Sequence, residues 1–230
     1  MSLKTSEIYS FYNENIHNWL LCQRISVRKQ YLESLDIISG DYVLDIGCGC
    51  GIDIKLLNEF DSNISGVGID FSQTAINIAR KVVDGTKWDL KCVDFRQYTN
   101  DRKFDIIIFS MLIMHYNDIR PVFHKLKELL APNGKILVVT NNPYVVANEF
   151  NICYNLTRST EYTHRFVFTE TDVKYVTKFL HPINDYINKA AEEHLRLVRM
   201  LEISSYTDDT LLFNPTPSNL PNFLAFIYEQ

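Results

Sequence analysis

The chain has 230 residues, 46% of them hydrophobic, enough for one sizeable α/β domain spanning 1–230 and short for two. A net charge of −5 and a pI of about 5.7, with no basic run, argue against a partner gripped through a nucleic-acid backbone. The greasiest run, Ile106 to Met114, falls far short of the ~20 residues of a membrane helix, and the polar start (Ser2, Lys4, Thr5, Ser6, Glu7) has no apolar leader, so no membrane partner and a cytoplasmic location are expected. The five cysteines (Cys22, Cys48, Cys50, Cys92, Cys153) are odd in number and lack C-x-x-C spacing; they read as reduced thiols rather than metal ligands.

From Thr5 to Ser39, apolar residues recur at helical spacing (Ile8, Phe11, Tyr12, Ile16, Trp19, Leu20, Ile25, Val27, Tyr31, Leu32, Leu35) and stop at Gly40. Residues 1–40 are therefore a helical N-terminal cap, whose Tyr9 and Tyr12 are candidates to line a lid over a substrate. Val43 to Gly51, VLDIGCGCG, then reads as strand, tight turn and helix start. Glycines at 47, 49 and 51 allow unusual backbone angles and let a ligand lie against bare backbone. A dinucleotide loop would place its third glycine where Ile52 stands, and a P-loop would need a following Lys-Ser or Lys-Thr pair, which is absent.

Ile64 to Asp70 forms a second strand ending in an acid. About twenty residues past a glycine loop, such an acid can accept hydrogen bonds from both hydroxyls of a ribose. Phe71 follows, and Ser72 caps the next helix, which runs through Ala75 to Val82. Trp88 to Val93 alternates as a third strand and ends in Asp94-Phe95, an acid that can accept from an adenine amino group beside a ring that can cover the base. Phe104 to Phe109 is apolar on both faces, as a central parallel strand should be. It exits into Ser110, Met111, Leu112, Ile113, Met114, His115 and Tyr116.

Taken together, the glycine turn after Asp45 and the three further strand ends resemble the class I S-adenosylmethionine-dependent methyltransferases, and the His-aromatic end of the fourth exit resembles their small-molecule type. The resemblance is carried by motifs from Tyr42 to Thr140 and by element order beyond. It implies a Rossmann-like, seven-stranded, mostly parallel sheet with helices on both faces and an antiparallel C-terminal hairpin. It implies S-adenosylmethionine as the cofactor, leaving as S-adenosylhomocysteine. Gly47, Cys48, Gly49 and Gly51 would cradle its methionine end and Asp45 would orient the amino group indirectly. Asp70 and Phe71 would hold the ribose, Asp94 and Phe95 the adenine, and Ser110 would complete the donor side. The acceptor would be a small molecule methylated at nitrogen or oxygen, with His115 as base or orienting group and Tyr116 or Tyr12 offering an aromatic face to developing cationic charge. A donor-binding protein without transferase activity is the alternative, and the chain is expected to act as a monomer or homodimer.

Ile119 to Leu130 is an amphipathic helix, and Ala131-Pro132-Asn133-Gly134 leads into the strand Lys135 to Thr140, resembling the family's L-x-P-G-G loop with Asn133 in a glycine's place. Asn141-Asn142-Pro143-Tyr144 looks like the Asn-Pro-Pro-Tyr signature of amide-nitrogen methyltransferases, but it follows the wrong strand and reads as a turn. Residues 141–180 form a substrate-side insertion without strong periodicity, in which Tyr154 and Arg165 are the expected substrate contacts and Arg158, Tyr162, His164 and Phe166 further lining candidates. A helix from Ile183 to Leu195 and strands Leu195 to Glu202 and Asn222 to Tyr228 close the chain.

Overall fold

The computed structural model describes residues 3–15, 24–83, 87–153, 155, 157–167, 173–204 and 221–230. Among the described residues, the helices α1 (Leu3–Glu14) and α2 (Ile25–Glu33) precede the sheet. Parallel strands β1 (Tyr42–Ile46), β2 (Ser65–Asp70), β3 (Trp88–Cys92) and β4 (Phe104–Ser110) then alternate with α3 (Ile52–Phe60) and α4 (Gln73–Val82). Next come α5 (Arg120–Leu129), β5 (Leu130–Asn141), α6 (Pro143–Glu149), β6 (Thr160–Val167), β7 (Val173–Leu180), α7 (Ile183–Glu192), β8 (Arg196–Ile203) and β9 (Phe223–Glu229).

The sheet order is β3-β2-β1-β4-β5-β9-β8, with β9 antiparallel to both its neighbours. The expected seven-stranded, mostly parallel sheet with an antiparallel C-terminal hairpin is therefore present. Its chemistry follows from burial on both faces: Ile106 and Ile108 of β4 enter the core shared with α2, α3 and α4, while Ile107 and Phe109 enter the core shared with α5 and α7. That two-sided burial is why β4 lacks polar alternation. The strand order reverses between β1 and β4, so the carboxyl ends of β1, β2 and β4 open a crevice where such sheets bind ligands. None of the described helices is long and apolar enough to cross a membrane.

The insertion is more regular than its sequence suggests. Asn142 and Pro143 open a helix instead of merely turning: the Asn142 carbonyl side chain accepts the Tyr144 N–H at 3.0 Å, and Pro143 takes the first helical turn, where its missing N–H costs nothing. Downstream, β6 and β7 form a separate two-stranded ribbon. Its period-2 pattern is legible only when the inward residues are known: Tyr162, Val176, Lys178 and Leu180 are buried, while Glu161, Thr163 and Tyr175 are exposed. Asn133 adopts the left-handed conformation (φ 63°) that its place in the β5 loop requires.

Candidate functional site

The turn after β1 is tied to β2, the Gly47 and Cys48 N–H groups both donating to the Ile69 carbonyl (2.7 and 3.0 Å). Its three glycines serve different ends. A Cβ at Gly47 would lie 2.6 Å from Leu112 Cδ1, and one at Gly51 would lie 2.7 Å from Val83 Cγ2, so these two admit neighbouring side chains. Gly49 (φ 52°) has nothing nearer than 4.0 Å on its Cβ side, and its N–H donates to Asp70 Oδ2 at 3.0 Å. Bare backbone faces open space at Gly49 alone among the three. Cys48, expected in the cradle, turns its thiol into the core beside Gly68 and leaves only backbone at the turn.

Strand alternation puts Asp45 on the α2–α3 side of β1, 1% exposed. Burial, then the negative charge of Asp53, raises its carboxyl well above the usual range, against the pull of Arg28. One of its oxygens, Oδ2, has no hydrogen-bond partner among the described residues. Beneath it, Arg28 Nη1 donates to Asp53 Oδ2 (2.6 Å) and the Tyr31 hydroxyl to Asp53 Oδ1 (2.8 Å). Burial raises the Tyr31 hydroxyl well above its ordinary value, with Arg28 and the Ser110 side chain pulling the other way. This Arg28–Tyr31–Asp53 support was invisible in the sequence, because an arginine on an amphipathic helix reads as a solvated residue. Asp70 accepts from the Ser72 N–H (2.8 Å) as well as from Gly49, and burial raises its carboxyl despite those bonds.

At the end of β3, Asp94 is held by Arg96 and accepts the Tyr9 hydroxyl. Burial pushes its carboxyl up, but the Arg96 and Tyr9 hydrogen bonds outweigh burial and leave it below the usual range. The Tyr9 ring stacks on Phe71 (centroids 4.2 Å apart, planes 8° apart). Phe95, expected to cover a base, is instead a core residue with its ring against Phe109 at 5.3 Å. Its place is determined by the first position of a 3₁₀ turn capped by Asp94, which directs the side chain inward. The aromatic surface beside Asp94 is thus supplied by Phe71 and, from α1, Tyr9.

Beyond β4 the chain passes through Met111 in the left-handed region (φ 58°), held by its N–H to the Val139 carbonyl at 2.8 Å. A 3₁₀ turn, Ile113–His115, follows. His115 Nε2 lies 2.9 Å from the Tyr12 hydroxyl, and its Nδ1 has no hydrogen-bond partner among the described residues. Desolvation, then the charge of Lys178, pushes its imidazole down to about 3, so it is neutral at physiological pH. Tyr116, paired with His115 in expectation, diverges from it: the ring packs toward Phe109, and its charged neighbours are Asp94 and Arg96. Successive residues of a tight turn point apart, so one neighbour serves each end of the crevice.

Around His115 the ribbon contributes His164 and Lys178, the cap Tyr12 and Arg24, and α6 Glu149. Desolvation, then Lys178, pushes His164 down to about 3. Of the substrate candidates, Tyr9 and Tyr12 both pack on Phe71, at 4.2 Å stacked and 6.3 Å edge-on, Tyr9 reaching Asp94 and Tyr12 reaching His115; Arg165 belongs to β6, and Tyr154 lies outside the described residues. Lys178, Glu149 and Arg24 escaped sequence reading. The signal that would have found Lys178 is a cation set between Val176 and Leu180 on the inward, period-2 face of a strand.

Comparison with known proteins matches residues 21–207 to the profile of a family described as methyltransferase domain. A ubiquinone biosynthesis O-methyltransferase of Coxiella burnetii is 30% identical over 119 residues, 50% of this chain and 50% of that protein. Phosphoethanolamine N-methyltransferase 3 of Arabidopsis thaliana is 33% identical over 123 residues, 50% of this chain and 24% of that protein. The matched region thus spans half or less of these curated relatives. Among solved structures, an S-adenosylmethionine-dependent methyltransferase of Mesorhizobium loti has a TM-score of 0.65 at 16% identity, over 87% of this chain and 96% of that one. The N-methyltransferase NodS of Bradyrhizobium japonicum, crystallised with S-adenosylhomocysteine, has a TM-score of 0.57 at 14% identity, over 90% and 85%. These likenesses show the fold.

Proposed function

The chain belongs to the methyltransferase-domain family, and on that premise we propose that it binds S-adenosylmethionine across the ends of β1, β2 and β3 and moves its methyl group to a small acceptor. The acceptor atom is nitrogen or oxygen, the two types for which its relatives are named. The observation that carries this reading is the pairing of Gly49 with Asp70: bare backbone facing open space, bonded to a buried carboxylate on the adjacent parallel strand.

The residues fit the donor. Asp45 Oδ2 is a buried acceptor atom in want of a donor, which the methionine ammonium supplies directly or through water. Asp70 has lone pairs left for ribose hydroxyls after accepting two N–H groups, and Asp94 beside Phe71 suits the adenine. When bound, the donor supplies a methyl group already activated by its sulfonium, so the protein's task is position and exclusion of water. Tyr9 takes part in that exclusion, since its ring covers Phe71 and its hydroxyl engages Asp94; α1 must shift or share Asp94 when adenine enters. His115, neutral and only weakly basic, orients the acceptor through Nδ1 rather than carrying away its proton.

Titration with S-adenosylhomocysteine tests the reading: the nucleoside raises Tm and NAD does not. Asp70→Asn weakens that binding by tenfold or more, since hydrogen bonds to a charged group contribute about 1.5–3 kcal/mol. Absence of nucleoside binding sinks the proposal. A labelled methyl donor offered with a panel of small metabolites identifies the acceptor; binding without transfer to any of them favours the non-transferase alternative.

A further inference from the structure

The chain leaving the His115 turn is held by the residues that flank the β6–β7 ribbon. Just before β6, the Ser159 hydroxyl lies 3.3 Å from the Asn117 carbonyl oxygen and 3.2 Å from the Asn117 side-chain oxygen. Just after β7, His181 Nε2 lies 2.8 Å from the Tyr116 carbonyl oxygen. Register pairs Thr160 with Leu180, so Ser159 and His181 flank the same end of the ribbon. The two grips are unequal. Ser159 is partly open to water, whereas His181 is 1% exposed, and water does not replace a bond lost there. A carbonyl only accepts, so Nε2 carries the proton and the tautomer of His181 is fixed.

On its other side, His181 rests on the sheet. Its ring meets Tyr186 of α7 edge-on (centroids 5.9 Å apart, planes 85° apart), and Tyr186 stacks on Phe226 of β9 at 4.9 Å. The Tyr228 hydroxyl donates to the Tyr186 carbonyl at 2.9 Å, so a chain of contacts runs from β9 to the carbonyl next to His115. The turn's own bonds, His115 N–H to the Leu112 carbonyl (2.9 Å) and Tyr116 N–H to the Ile113 carbonyl (3.2 Å), are short in range. They shape the turn without aiming it. From this arrangement, and resting on the methyl-transfer function proposed above, we propose that His181 is a positioning residue: its bond to the Tyr116 carbonyl sets the turn so that His115 Nδ1 meets the acceptor. His181 acts through the turn, as outer partners orient the groups that touch a ligand. The ring also interacts with the Ile113 backbone, so both ends of the turn converge on one imidazole. Desolvation brings that imidazole down to about 4, which keeps it a neutral donor at physiological pH. The leverage is large, since a displacement of about 1 Å can cost about a hundredfold in rate.

Imidazole ¹⁵N spectra of the full chain, with and without S-adenosylhomocysteine, test the proposal before any acceptor is known. Loss of signals in His115→Gln and in His181→Gln assigns the two rings. In the natural protein His181 is the Nε2–H tautomer. His181→Phe, which keeps a ring against Tyr186 but removes the donor, shifts or splits the His115 signals while S-adenosylhomocysteine affinity stays unchanged to within about twofold. His181→Gln, whose amide N–H reaches the same carbonyl, restores them. With the acceptor found by the labelled-donor panel, kcat falls about tenfold or more in His181→Phe and recovers in His181→Gln, the donor KM staying level. His115 signals unmoved in His181→Phe, whatever its Tm, overturn the proposal. So does equal displacement in both variants, which assigns the effect to ring shape, and so does an Nδ1–H tautomer of His181, which the natural protein reports without any variant folding. Failure of the natural chain to bind the nucleoside would instead overturn the methyl-transfer function, leaving the spectra of the nucleoside-free chain to judge the turn.

Discussion

The two ends of the crevice are built in opposite ways. Under the donor end lie carboxylates (Asp45, Asp53, Asp70 and Asp94) on or just beyond parallel strands, or on the helix that follows the turn, compensated by Arg28 and Arg96. Around the other end stand Lys178, Arg24, Glu149 and two imidazoles held neutral, His115 and His164, supplied by the cap, α6, a 3₁₀ turn and a two-stranded ribbon. An acidic floor suits a ligand bearing an ammonium and a sulfonium. Packing differs in the same sense. The donor end rests on two large cores flanking the sheet, whereas the ribbon is held by small clusters, Phe11 with Val176 and Val146, Ala147, Tyr162 and Leu180. A rigid floor with a lightly packed roof admits substrate by moving the roof.

The sharpest way to break this contrast is from below. A Cβ at Gly66 of β2 would lie 1.9 Å from the Val43 carbonyl oxygen, a backbone atom that cannot yield without parting β1 from β2. Gly66→Ala therefore costs about 3 kcal/mol or more, read as a collapse of the thermal transition and loss of nucleoside binding together.

Acid comes next, and it strikes the roof. His115 and His164 are brought down to about 3 and His181 to about 4, in each case by desolvation first. The unfolded chain takes up these protons near the ordinary value of 6.5, while the folded chain resists them until about 4 or lower. Stability therefore falls as pH drops from 6.5 toward 4, and Tm should decline by several degrees per pH unit in that window. Hydrogen exchange during the same titration should show β6 and β7 opening before β1 and β4; the reverse order would remove the distinction between floor and roof.

Asp53→Asn has a smaller effect. It leaves Arg28 facing a neutral amide, and because the Arg28 side chain is 27% exposed the cost falls between those of surface and buried pairs, about 2 kcal/mol. Denaturant titration measures that loss, and nucleoside affinity should fall with it, since Arg28 and Asp53 also set the charge at Asp45. The smallest effect marks the outer boundary of the roof. Tyr175, 63% exposed on the ribbon's outward face, should tolerate Ala with stability unchanged to within about 0.5 kcal/mol and turnover unaffected. A large loss there would mean that the ribbon's outer face also takes part.

Local chemistry made much of the floor readable in advance. Val43 to Gly51 had to turn where it does, and Asp45, Asp70 and Asp94 lie at the positions that strand periodicity assigns them. That Phe95 and the Cys48 thiol face the core is not legible locally, because a residue name next to a turn does not say which way the side chain faces. The roof was hardly readable, since its partners are distant in the chain: Tyr12 meets His115 across 103 positions, and Lys178 meets His115 only because β7 folds back over the 3₁₀ turn.

The sequence by itself determined the order of strands and helices outside residues 141–180, the glycine turn and the acids at the strand ends, because each depends on neighbours within a few residues. Tertiary structure alone decided that Tyr9 covers Phe71, that Arg28 steadies the acids beneath the turn, and that a lysine of the ribbon stands beside His115. Those arrangements depend on which surfaces meet when the chain closes, and no local periodicity encodes which distant side chain will lie opposite.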